Sequence, residues 1–155
     1  MITAVDTNIL LDILIPKTPH GDASERALAD AVRAGAVVIS EPVYAELAAY
    51  FTEQEPLDNF LADTAIRLKP SGHEALFMAG KAWSKYIRRR PMPLACPQCG
   101  AAQEVRCARC GASVQTRQHV MADFLIGAHA LVHGDRLVTR DRGYYATYFS
   151  DLTLA

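Results

Sequence analysis

No stretch of this 155-residue chain approaches the ~20 consecutive apolar residues that a membrane-spanning helix needs. The apolar opening, MITAVDTNILLDILIP, lacks a basic leading segment, is interrupted by Asp6 and Asp12, and is followed by no small-residue cleavage site. It reads as a buried strand running into a helix, not as a signal peptide, and the expected location is the cytoplasm. Internal repeats and low-complexity tracts are absent too. Cysteine is missing everywhere except CPQCGAAQEVRCARCG (96–111), which holds all four. In a compartment where thiols stay reduced, paired C-x-x-C motifs favour metal ligation over disulfides. What is present is ordinary for a single domain: half the residues are apolar and about a fifth charged.

The net charge of −1 conceals an asymmetry. Between Lys81 and Arg117 stand Lys81, Lys85, Arg88, Arg89, Arg90, Arg106, Arg109 and Arg117 against Glu104 alone, so this segment is +7 and the rest −8. Zinc held by four thiolates would lower the segment to +5. A basic lobe beside an acidic body suggests a polyanionic partner. The alternative reading is a solvated helix face and a polar insert.

Along the chain, strand and helix patterns alternate. ITAV (2–5) is β-prone and stops at Asp6, with Thr7 or Asn8 as candidate cap of a helix that Pro16 ends. The pattern predicts helices over 22–35, 42–51, 56–65, 72–90 and 119–134, and strands over 36–40, 66–70, 136–139 and 152–155, with RDRG (140–143) as a turn. AVVIS (36–40) is continuously apolar, as expected in a sheet covered on both faces. Residues 91–117 carry Pro, Cys and Gly and no helical period. Such alternation implies a parallel sheet between helix layers, with function gathered beyond the carboxyl ends of the strands.

The acids meet that test. Asp6 follows the first strand, and Asp141 lies two residues past RLVT. Glu46 is in the helix after the AVVIS strand, and Asp123 is near the start of the helix before RLVT. Clustered carboxylates repel and raise each other's pKa. A divalent cation offsets this, and all-oxygen ligands favour Mg²⁺ or Mn²⁺. Such a site can generate a nucleophilic hydroxide and stabilise in-line displacement at phosphorus. Against it stands the ordinary use of an Asp after a strand as a helix cap or turn residue.

VDTNILLDIL, ISEPVYAEL, ADFLIGAHALVHGDRLVTRDRGYY and FSDLTL, in this order and spacing, resemble the PIN-domain family, and within it the VapC toxins of bacterial toxin–antitoxin pairs. The resemblance covers nearly the whole chain except about 91–117. It implies one three-layer α/β/α PIN-like domain over 1–155, with a central parallel sheet. It also implies a metal-dependent endoribonuclease holding one or two Mg²⁺ or Mn²⁺ ions on Asp6, Glu46, Asp123 and Asp141. Glu41 is the weaker choice beside Glu46, and Asn8 and Thr139 fall where the family places orienting polar residues. The implied partners are an RNA substrate, a small antitoxin that covers the acidic groove, and a second copy in a homodimer. Asp135 reads as a turn residue, His119 as a surface or capping residue, and Trp83 and Tyr86 as packing residues.

Cys96, Cys99, Cys107 and Cys110 form two C-x-x-C-G knuckles suited to structural Zn²⁺, with free thiols or a disulfide pair as the alternative. Four protein ligands leave no open position for water, so such a site is not the catalytic centre. So short a segment cannot bury a core, and the metal would supply its folding energy. This zinc-ribbon insertion, 91–117, is where the chain departs from an ordinary VapC toxin. Its basic residues suggest a grip on RNA phosphates, with a protein-docking surface or a stabilising clip as rivals. Two other functions remain open: a housekeeping RNA-processing nuclease, and a non-catalytic RNA- or protein-binding module using the ribbon.

Overall fold

The computed structural model describes residues 1–88, 94–95, 101–114 and 120–155. Its centre is a parallel sheet in the order β3-β2-β1-β8, made of β1 (Ile2–Val5), β2 (Ala36–Ile39), β3 (Ile66–Leu68) and β8 (Arg136–Val138). The register pairs Thr3 with Val37 on one side and with Arg136 on the other. β1 is thus flanked by strands reached in opposite directions, which makes its carboxyl end a switch point where such sheets bind ligands. Val5, Val37, Ile39 and Leu137 are buried, as strands covered on both faces require.

Helices α1 (Thr7–Leu14), α2 (Gly21–Ala34), α3 (Glu41–Ala48), α4 (Gln54–Asp63), α5 (Gly72–Arg88), α6 (Met121–His133) and α7 (Arg142–Tyr148) complete the domain. The turn expected over RDRG runs into α7, which was not anticipated. α3 stops at Ala48, three residues short of the predicted end. The expected last strand shrinks to a single parallel bridge between Leu137 and Leu154. α1 is capped by Asp6, not by Thr7 or Asn8. The Asp6 side chain caps nothing, because other donors hold it. No helix among the described residues is long and apolar enough to cross a membrane.

Two features fix α6. Phe124 is fully buried and meets the rings of Trp83, Tyr86, Tyr144 and Tyr148 at 5.2–5.4 Å between centroids, which joins α5, α6 and α7. Gly127 lies so close to the Phe149 ring that an added Cβ would stand 2.4 Å from it. Trp83 and Tyr86 therefore pack as expected.

Between α5 and α6 the chain forms two small antiparallel pairs, β4 (Leu94–Ala95) with β5 (Ala102–Gln103), and β6 (Val105–Arg106) with β7 (Ser113–Val114). Cys107 and Cys110 occupy the β6–β7 turn and, among the described residues, form no disulfide. Gly111, at φ +71°, supplies the left-handed step that a C-x-x-C-G knuckle needs. Gly111 N–H donates to the Cys107 carbonyl at 2.8 Å. Backbone N–H groups of Cys110 and Arg109 face the Cys107 sulfur and hold its thiol below the usual pKa. Cys96 and Cys99 lie outside the described residues, as do Arg89, Arg90, Arg117 and His119.

Candidate functional site

The site is built from the chain's first turn after β1 and its first turn after β8. Asp6 N–H donates to the Val138 carbonyl at 3.0 Å, extending the sheet by one residue. The next step of each strand then leaves the sheet at the same edge. The Asp6 carboxyl, 6% exposed, is gripped there. The Thr139 hydroxyl donates to its Oδ2 at 2.6 Å and the Asn8 amide at 2.8 Å. Asn8 also donates to Thr139 Oγ1 at 3.3 Å, and Asp141 N–H donates to that same oxygen at 3.0 Å. One buried hydroxyl thus ties Asp6, Asn8 and Asp141 together.

The other acids approach from two helices. The Thr7 hydroxyl donates to Glu46, half-buried on α3. Asp123, one residue before the Phe124 anchor, turns its carboxylate back to the Val120 N–H at 3.1 Å, as an acid in a first helical turn does. Both are near enough for their charge to act on Asp6. Burial pushes the Asp6 carboxyl up to about 6. The Thr139 hydroxyl and the Thr7 backbone N–H pull it down, and the negative charges of Asp123 and Glu46 push it up again. Asp141 is exposed and spends one oxygen on the Tyr144 N–H at 3.4 Å, capping α7. Beneath the cluster Tyr145 is buried. Its phenol is held far above its ordinary pKa, first by burial and then by the charges of Asp6 and Asp123, so it stays neutral.

As the side chains stand, no three His, Cys, Asp or Glu groups among the described residues are placed to hold one metal ion. Glu41 is engaged elsewhere: its carboxylate accepts from the Ser71 hydroxyl and from the Ser71 N–H at 3.0 Å. Asp135 accepts the Ile2 N–H at 2.6 Å. Three contributors escaped the sequence reading: Thr7, which holds Glu46, Tyr145 under the cluster, and Asp12. Asp12 is 6% exposed on α1 and pairs with Arg140 Nε at 2.8 Å. A buried Asp within an apolar helix face was the available signal, since such a group requires a partner.

Among known families, the PIN domain matches residues 3–150. No curated protein sequence matches the chain. Solved structures are similar in fold across essentially its whole length. VapBC2 from Rickettsia felis, bound to a DNA fragment from its promoter, has a TM-score of 0.61 at 19% identity, covering 100% of this chain and 98% of that one. FitAB bound to the IR36 DNA fragment gives 0.53 at 17%, covering 100% and 94%. Mycobacterium tuberculosis VapC20, a toxin that cleaves the sarcin–ricin loop, gives 0.54 at 14%, covering 97% and 98%.

Proposed function

The chain belongs to the PIN-domain family, and from that premise we propose that it is a divalent-metal-dependent endoribonuclease, the toxin of a toxin–antitoxin pair. One observation carries the reading: the buried carboxyl of Asp6, at the switch point of the sheet, lies within the field of Asp123 and Glu46 and is held by the turn that bears Asp141. Carboxylates drawn to one place raise the cost of ionising one another, and such a cluster suits a divalent cation as ligand.

The donor set fits a hard cation. Asp6, Glu46, Asp123 and Asp141 offer oxygen only, the chemistry of Mg²⁺ or Mn²⁺. Asp123 is turned onto Val120 and Glu46 onto Thr7. These four side chains are the ones that would hold such an ion, directly or through water. When bound, the ion supplies Lewis-acid charge to the phosphoryl oxygens and acidifies the attacking water. The chain's own groups orient and shield. Thr139 and Asn8 both bind Asp6 Oδ2 and so fix the plane of that carboxylate. Thr7 holds Glu46, and the neutral Tyr145 phenol fills the floor and keeps bulk water out.

The VapC-like resemblance supports a cognate antitoxin over the acidic groove, a homodimer and a cytoplasmic setting. For the insertion, 91–117, we assign a structural Zn²⁺ ribbon with Cys96, Cys99, Cys107 and Cys110 as ligands, supported by the knuckle geometry at Cys107–Gly111. Elemental analysis of purified protein tests it: one zinc per chain is expected, and its absence from protein purified without chelator would overturn the assignment.

The nuclease is tested by incubating antitoxin-free protein and its Asp6→Asn variant with total RNA, with and without Mg²⁺ or Mn²⁺, and sequencing the new 5′ ends. Discrete cuts that need both metal and Asp6 are expected. No cleavage by the metal-loaded protein would favour a binding module instead.

A further inference from the structure

Asn8 and Asp12 stand one helical turn apart on α1 and face the same neighbour, as i,i+4 positions do. That neighbour is Arg140, the residue between Thr139 and Asp141. Its backbone N–H donates to Asn8 Oδ1 at 3.3 Å, and its Nε donates to Asp12 Oδ2 at 2.8 Å. Asp12 is 6% exposed and the Arg140 side chain 43%, so the pair runs from the interior of the fold to its surface. The Ser24 hydroxyl on α2 donates to the same Asp12 oxygen at 2.8 Å, and the Thr18 hydroxyl to the Asp12 carbonyl at 2.8 Å. The carboxylate is therefore anchored from behind by α2, and the Asp12 backbone by the α1–α2 connection.

Stability alone is a poor reason for this arrangement. Taking a carboxylate out of water costs several kcal/mol, and a well-packed apolar pair of the same volume commonly does as well or better. What the ion pair supplies is a fixed position for one particular turn. Residue 140 is held at its backbone by Asn8 and at its side chain by Asp12. The flanking residues then have little freedom: Thr139 to rotate away from Asp6, or Asp141 to swing outward.

We infer that Asp12 is a positioning residue for the acidic site, acting through Arg140 to hold the 139–141 turn so that the Thr139 hydroxyl stays on Asp6 and the Asp141 N–H stays on Thr139. The inference rests on the nuclease reading for its catalytic consequence, though not for the clamp itself. Groups that orient a metal's ligands without touching the metal typically carry about 10–100-fold in affinity or activity.

The test uses the full chain with Asp12→Asn, Arg140→Gln and the double variant. Hydrogen exchange at the Arg140 and Asp141 amides reads the clamp directly. Mn²⁺ affinity, from water-proton relaxation, and kcat and KM on a cleaved RNA read its consequence. Faster exchange at these two amides is expected, with exchange in β1 and β2 unchanged. Mn²⁺ binding should weaken by about tenfold or more and kcat fall about 10–100-fold, with KM nearly constant. The double variant should be no worse than the poorer single one, because the pair acts as a unit. Folded variants with unchanged exchange, Mn²⁺ affinity and kcat would overturn the inference. So would a loss confined to KM, which would make Arg140 an RNA contact. Should Asp12→Asn not fold, the exposed Arg140→Gln carries the same measurements. A wild type that neither binds Mn²⁺ nor cleaves RNA would sink the nuclease reading instead, and amide exchange alone would then decide the clamp.

Discussion

Helix α6 carries a polar cluster at each end, and the two are resolved in opposite ways. At its start Asp123 joins Asp6 and Glu46, and like charges face one another around a carboxyl that burial already makes costly to ionise. Towards its end His129 and His133 stack with ring centres 4.9 Å apart. Each Nε2 donates to a carbonyl, His129 to Lys69 at 2.9 Å and His133 to Ser71 at 2.7 Å; a carbonyl can only accept, so the proton is on Nε2 in both. Glu41 closes the group by accepting both Ser71 donors. The second cluster satisfies itself and so serves the fold. The first sets carboxylates against one another around a buried acid, the kind of perturbed group that functional sites gather.

The largest expected difference is in activity. Asp6→Asn keeps the size of the side chain and its bonds to Thr139 and Asn8, but removes the central charge. RNA cleavage should drop to background while far-UV circular dichroism stays unchanged. His129→Asn, in the other cluster, should leave kcat per folded molecule within about twofold, because its neighbours do not include the site acids; any cost belongs to stability. Single-turnover cleavage with matched folded fractions separates the two. A His129 variant as inactive as the Asp6 variant would dissolve the comparison.

Next is stability in a chelator, with divalent ions removed. The folded Asp6 pKa, about 6, lies above the ordinary 3.8. Between these values the folded state binds more protons than the unfolded one, so the Asp6 contribution is intact below about pH 4 and is lost as pH rises through 6. The full loss is on the order of 3 kcal/mol. In urea titrations with EDTA, Asp6→Asn should be more stable than wild type at pH 7.5, and the gap should close towards pH 4. Added Mn²⁺ should narrow it at pH 7.5 by stabilising wild type alone. Equal stability of the two proteins at every pH would mean that the Asp6 carboxyl carries no burden in the folded state.

How much of this contrast was legible from residues is uneven, for physical reasons. The sheet was readable because β2 is an unbroken apolar run and β1 and β8 end in polar turns. The alternation of patterns therefore implied parallel strands, with Asp6 and the 139–141 turn beyond their carboxyl ends. Helix α7 was not readable: its buried face is Tyr144 and Tyr145, and aromatic residues beside a glycine read equally well as a turn or a strand. The final strand failed because LTLA lies at the sheet edge and makes only one bridge. Asp12 and the His129 cluster were hidden for a common reason. A polar residue on an apolar helix face reveals its partner only when the tertiary neighbour is known, and Arg140 and Lys69 are remote in sequence.

The His129 cluster predicts the reverse slope with pH. Burial holds the folded His129 below its ordinary pKa; the Lys69 carbonyl opposes this, and neighbouring His133 adds to it. The unfolded state therefore takes up a proton first. The stabilising contribution is present above pH 6.5 and is lost as pH falls below it. His129→Asn removes this slope. It also leaves a partly buried Lys69 carbonyl short of its donor, at a cost of about 1–3 kcal/mol at pH 7.5. Comparing the unfolding free energies of wild type and variant at pH 7.5 and 5.5 checks both effects: the deficit of the variant should shrink at the lower pH. A deficit that grows on acidification would place the protonated form of His129 in the folded state.

Smallest, and most local, is Ser71→Ala. It removes the hydroxyl that donates to Glu41 but leaves the Ser71 N–H on the same carboxylate. Burial works to raise the Glu41 pKa, and the Ser71 hydroxyl and N–H outweigh it to hold the carboxyl below its ordinary value. Losing one of two donors to an exposed carboxylate costs about 1 kcal/mol, because water replaces the hydroxyl. The Glu41 pKa should move up towards its ordinary value, measurable from the pH dependence of its carboxyl carbon shift. Cleavage and Mn²⁺ affinity should not change. The separation matters more than the size of the effect. If altering Ser71 changed Mn²⁺ affinity, the two ends of α6 would be energetically coupled, and the second cluster would be tuning the chemistry of the first.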